Sequence, residues 1–132
     1  NQQVHHAVMQ WLHGLDSGDL DLMVHHTHDD VVICNEHQPT TIGIQPFKDK
    51  YGPRIQAMNF KSTCEAQHIQ VFGNDVTAIW VGRFSVEAAS KESGETMKAG
   101  SGRLCMTLLK VDGVWKMLSD VDNNDETDPV KK

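Results

Sequence analysis

The chain has 132 residues, 39% hydrophobic and 23% charged, with a net charge of -6. That length predicts one domain whose core stands without disulfide staples. The acidic balance, with no basic stripe, argues against a nucleic-acid partner, and no apolar run approaches the ~18 residues of a membrane span.

Val4, Val8, Trp11, Leu12 and Leu15 recur at helical spacing and predict an amphipathic first helix. Gly18 supplies a left-handed stop and Asp19 the cap of a second, short helix, with Leu20, Met23, Val24 and Thr27 as its inner stripe. Asp29-Asp30 closes the helical stretch. Val31 to Glu36 is rich in β-formers, and alternation sets Val31, Ile33 and Asn35 on one face and Val32, Cys34 and Glu36 on the other. His37-Gln38-Pro39 breaks this strand, and Thr40 to Gly43 forms a brief return. A third helix starts with Pro46 in its first turn and carries Ile44, Phe47, Lys48 and Tyr51 at helical spacing. Gly52-Pro53 is expected to end or kink it near Tyr51, with Arg54 to Met58 adding one further turn.

The remainder predicts strands. Phe60 to Phe72 leads through a Gly73-Asn74-Asp75 turn into Val76 to Ala89, with Val76, Ala78, Trp80, Gly82, Phe84 and Val86 on one face. Ser90 to Gly100 is expected as a polar loop, Ser101 to Val111 as the next strand, and Val114 to Val121 as the last, after an Asp112-Gly113 hairpin turn. From Asp122 the sequence predicts a disordered polar tail. Domain boundaries follow: residues 1–123 form the domain and 124–132 the C-terminal tail. Helices followed by a meander predict an α+β architecture, three N-terminal helices packed on a curved antiparallel sheet bent at Gly82, Gly100 or Gly102. Such a sheet closed by helices encloses a conical cavity, the default ligand site.

The three cysteines, Cys34, Cys64 and Cys105, fit neither a disulfide framework nor a paired metal knuckle. They read as small strand hydrophobes of a cytoplasmic protein, and the N-terminus carries no signal-peptide core. Eight histidines raise a metal site, but His25, His26 and His28 lack a second cluster at defined spacing and read as a solvated helix end. No metal and no cofactor is expected. Gly100-Ser101-Gly102 precedes a strand rather than a helix, so it is not a phosphate cradle.

Several runs together resemble a known family. These are Val8 to Asp21 with Gly18-Asp19 between two helices, Asp29-Asp30-Val31-Val32-Ile33, Gly43 before helix three, and Lys110 to Leu118 with its Asp112-Gly113-Val114-Trp115-Lys116 core. In this order they resemble the NTF2-like superfamily, specifically its SnoaL-like and ketosteroid-isomerase-like branch, over Val4 to Asn123. The resemblance implies a cone-shaped barrel with an internal pocket, usually a homodimer through the sheet face. The family's isomerases place a tyrosine on helix one, an aspartate base at the end of the first strand and a second acid on a late strand. Here those positions fall on Trp11, on Asn35 and near Cys105 or Met106. An amide cannot abstract a proton and an indole offers no phenolic hydrogen bond, so the steroid-isomerase mechanism is not implied. The His/Asp pair of the polyketide cyclases is missing too, since Ser119 and Val121 stand where some relatives carry histidine.

Other polar residues remain as candidates. Asn35 offers amide hydrogen bonds to a ligand carbonyl, or is a satisfied strand-end residue. Trp11 stacks on a flat ligand or packs helix on sheet, and Tyr51 covers the cavity mouth or packs helix three. His68, on the strand face of Cys64, Ala66 and Phe72 and away from Glu65 and Gln67, is a general-base candidate, or a histidine at the dimer face or in a hydrogen-bonded core. Asp120 is an acid/base group, or orients His68 if their strands neighbour, or is a solvated strand end. Arg83 and Arg103 read as cross-strand partners of Glu65 or Glu87, or as a carboxylate anchor. The expected function is cofactor-free isomerase, cyclase or hydratase-type chemistry on a small apolar carbonyl compound. A non-catalytic small-ligand module and a dimeric assembly domain are the alternatives, and fold alone does not choose among them.

Overall fold

The computed structural model describes residues 1–125. Helix α1 (Gln2–Ser17) buries Val4, Val8, Trp11 and Leu15 of the predicted stripe together with Ala7 and Gly14, leaves Leu12 half-buried, and stops at Gly18 with φ 72°. A Cβ on Gly14 would meet the Met23 side chain, so this glycine lets the next helix close on α1. Helix α2 (Leu20–His25) is capped by Asp19, whose Oδ1 accepts from the Leu22 amide at 3.1 Å.

Strand β1 (Thr27–Cys34) begins four residues before the expected Val31. Thr27 opens the strand instead of continuing the helix stripe, because its hydroxyl is held between Trp11 and the Met23 carbonyl. After β2 (Thr41–Ile42), helix α3 (Ile44–Ala57) runs through Pro53 rather than ending at Tyr51. Phe47, Tyr51 and Ile55 are buried at i, i+4 and i+8, and packing along that stripe outweighs the hydrogen bond lost at proline.

Four long strands follow: β3 (Met58–Val71), β4 (Thr77–Ser90), β5 (Thr96–Val111) and β6 (Val114–Asn124). Two expected boundaries move. Residues expected in the polar loop before Ser101 pair with the end of β4, and Asp122 to Asn124, expected in the tail, pair with Leu104 to Gly102. Backbone pairing supplies the strand there although the side chains are polar and largely exposed. The rest of the expected tail, residues 126–132, lies outside the described residues.

The six strands form one open sheet in the order β2-β1-β6-β5-β4-β3, antiparallel except for the parallel pair β1–β6. The helices pack on its inner face, over a core that includes Met23, Ile33, Phe47, Trp80, Leu108 and Met117. This is the α+β cone expected from the sequence. Gly82 and Gly102 are where strands approach too closely for a Cβ, against the Glu65 and Asn123 carbonyls respectively, whereas Gly100 has open space.

Two bulges reset which residues face inward. In β3, Ala66 pairs with Gly82 and His68 with Val81, so Gln67 is the extra residue. In β6, Met117 pairs with Leu108 and Ser119 with Thr107, so Leu118 is extra. Each bulge transfers the following side chains to the opposite face.

Candidate functional site

Beyond the Leu118 bulge, Asp120 and Asp122 take the inward positions that unbroken alternation from Trp115 and Met117 would give to Ser119 and Val121. Asp120 lies between Ile33 of β1 and Met106 of β5, two wholly apolar neighbours. It is 6% exposed, and its Oδ1 has no hydrogen-bond partner among the described residues. Burial pushes its carboxyl up to about 7; the Asp122 charge adds to this and Lys50 opposes it.

Helix α3 supplies the facing groups. Tyr51 is buried, and burial followed by the Asp120 charge raises its phenol well above the usual range. Lys50 is half-buried; desolvation and then the neighbouring Arg54 charge hold its ammonium below the usual lysine value. Its Nζ donates to Asn35 Oδ1 and stands 5.5 Å from the Tyr51 ring centroid. Asn35 Nδ2 donates to Asp122 Oδ2 at 2.6 Å, and Asp122 Oδ1 accepts from the Glu36 amide at 3.0 Å. Asn35 therefore bridges a lysine and an aspartate carried by different elements. Arg54, one turn beyond Lys50, makes a long contact of 3.5 Å to Gln38 Oε1.

The structure brings Asn35, Tyr51 and Asp120 to one region, and it separates His68 from them. The Gln67 bulge turns His68 outward, where it is exposed and faces Gln70 at 3.4 Å. Strands β3 and β6 are separated by β4 and β5, so the expected pairing of His68 with Asp120 does not form. Trp11 lies in the core with its indole N–H donated to Thr27 Oγ1 at 3.1 Å, and its ring packs against Phe47 and Tyr51 at 6.2 and 5.6 Å. It walls the site behind Tyr51 and its polar handle is occupied. Arg83 pairs with Asp125 rather than Glu65 or Glu87.

Lys50 and Asp122 were not singled out by sequence. The available signal was the i, i+4 pair Lys50 and Arg54 flanking the Tyr51 stripe, a like-charge pair that is unfavourable on a free helix. Two open clefts of about 610 Å³ each lie elsewhere, along the start of α1 and the β5–β6 hairpin, lined in common by Gln2, Gln3, Lys110 and Trp115. Among the described residues no three His, Cys, Asp or Glu side chains are placed to hold a metal ion. No helix among them is long and apolar enough to cross a membrane.

Helices laid on the inner face of an open, curved, six-stranded sheet define the NTF2-like fold, and solved structures bear this out. A ketosteroid isomerase-like protein from Erwinia carotovora atroseptica superposes with a TM-score of 0.78 at 15% identity, covering 95% of each chain. A conserved protein from Planctomyces limnophilus gives 0.82 at 13% identity over 94% of this chain and 96% of that one. An NTF2-like superfamily protein from Salmonella enterica serovar Typhimurium gives 0.77 at 16%, over 99% and 95%. No curated protein matches the chain in sequence. The SnoaL-like domain model matches residues 4–121, and the chain belongs to that family.

Proposed function

We propose that this protein binds a small, mostly apolar carbonyl compound beside Asp120 and moves a proton on it without a cofactor, in isomerase, cyclase or hydratase-type chemistry. The observation that carries this reading is the Asp120 carboxyl, buried among apolar neighbours, with Oδ1 unpartnered among the described residues and its pKa raised to about 7. A carboxyl poised there exists in both protonation states at neutral pH, which is what a general acid/base requires. Asn35 and Lys50 supply donors for a substrate oxygen, and Tyr51 supplies an apolar wall with a protonated phenol. His68 has no part in this reading. The working unit is proposed to be a homodimer through the outer sheet face, where Val121 is 52% exposed beside Cys105 and Cys34.

The test is hydrogen exchange α to a carbonyl. Cyclohexanone in D2O is followed by NMR with the wild type and Asp120→Asn. The wild type accelerates exchange over buffer, and the variant loses roughly 10²- to 10⁴-fold of that acceleration, the usual worth of a positioned acid/base. Equal rates for the two proteins, or no acceleration by either, contradict the reading.

A further inference from the structure

We propose that Lys50 is the nucleophile of this site and holds the carbonyl substrate as an imine. The inference rests on the Asp120 reading and names the substrate's reacting group, an aldehyde or ketone carbon. The argument begins from what Lys50 does not do. Among the described residues the ion pairs are His37–Glu36 and Arg83–Asp125, so Lys50 has no contact pair although two aspartates lie near it. Its defined partner is the neutral Asn35 carbonyl, which fixes one N–H and leaves the nitrogen directed by an amide rather than neutralised by a carboxylate. Asp122 is held by Asn35 and the Glu36 amide. The remaining carboxyl, Asp120, is pushed by burial toward its protonated form and has an oxygen with no partner among the described residues. A half-buried amine next to a second cation, Arg54, is an environment that lowers a lysine's pKa and favours its neutral, attacking form, although the Asp120 and Asp122 charges oppose this.

The step balances without any further reactant. Neutral Nζ attacks the carbonyl carbon, a C–N bond forms, and the carbonyl π pair moves to oxygen. Asp120 gives its proton to that oxygen and takes one back from nitrogen, leaving a neutral carbinolamine. Asp120 then protonates the hydroxyl, the C–O bond breaks, and water leaves. The products are an iminium on Lys50, a carboxylate on Asp120 and one water. The iminium draws electrons from the α carbon, and the Asp120 carboxylate is then the base that removes the α proton. One pair of groups thus performs both halves of the chemistry.

The experiment traps the imine. Wild-type protein is incubated at neutral pH with cyclohexanone and sodium cyanoborohydride, and the modified lysines are mapped by peptide mass spectrometry. Lys50 is expected to be alkylated more than roughly tenfold faster than exposed Lys61, Lys91 or Lys98, because burial and the neighbouring Arg54 charge favour its neutral, attacking form. Lys50→Arg, which keeps a long hydrogen-bond donor at this position but cannot form the imine and is checked for folding by circular dichroism, loses both the adduct and the α-exchange. Labelling of Lys50 no faster than the exposed lysines overturns the proposal. So does full α-exchange by Lys50→Arg while Asp120→Asn has lost it, a result that leaves the proton-transfer reading standing. Selective trapping at Lys50 with exchange indifferent to Asp120→Asn supports the imine and overturns the role given to Asp120.

Discussion

A carboxyl removed from water either pairs with a cation or keeps its proton. Asp120 is moved toward the second course: burial, and after it the Asp122 charge, push its carboxyl up to about 7, while Lys50, which is held by Asn35, only opposes this. Thr27 shows the opposite handling of a buried polar group. Its hydroxyl accepts from Trp11 Nε1 at 3.1 Å and donates to the Met23 carbonyl at 2.6 Å, so one side chain ties α1, α2 and β1 together. Thr27→Val keeps the shape and removes both bonds, leaving the buried indole N–H without a partner. The expected loss is about 1–3 kcal/mol of stability, measured as a lower urea midpoint at unchanged slope. An unchanged midpoint would show that the bond is immaterial.

At the scale of elements, the helices were legible because their information is local. The stripe Val4, Val8, Trp11 and Leu15 has period 3.6, and the Gly18 stop and Asp19 cap sit at its end. The start of β1 was not legible, because Thr27 is fixed by Trp11, 16 residues away in sequence. The bulges were hidden for a related reason. Alternation assumes an unbroken ladder, yet Gln67 and Leu118 interrupt it where the curved sheet bends against neighbouring strands. Those two residues exchange the fates of the two expected proton-transfer groups: His68 turns outward and Asp120 is fixed inward. The site was therefore half legible. Asn35 and Tyr51 followed from strand and helix periodicity; the inward position of Asp120 did not, since unbroken alternation gives it to Ser119, and Lys50 and Asp122 acquire their significance only when α3, β1 and β6 meet.

At the scale of the whole molecule, the described residues present a sheet covered by helices on one side only. The other side carries Val32, Cys34, Val81, Cys105 and Val121, an apolar row that a twofold-related copy can cover. The wild type is expected to sediment as a dimer at micromolar concentration and Val121→Glu as a folded monomer; a monomeric wild type would rule out this interface. Global stability also reports on the site. In the unfolded chain Asp120 titrates near its ordinary 3.8, and in the folded protein at about 7. Between these values the folded state keeps a proton that the unfolded state has released, so rising pH destabilises the fold, and the full penalty is reached above about 7. A shift of about three units corresponds to about 4 kcal/mol. The most direct measurement is the urea stability of the wild type and Asp120→Asn at pH values from about 4 to 8. The account predicts that the variant gains on the wild type by up to about 4 kcal/mol across that range, with most of the gain complete by about pH 7. A difference between the two proteins that stays constant with pH would contradict it.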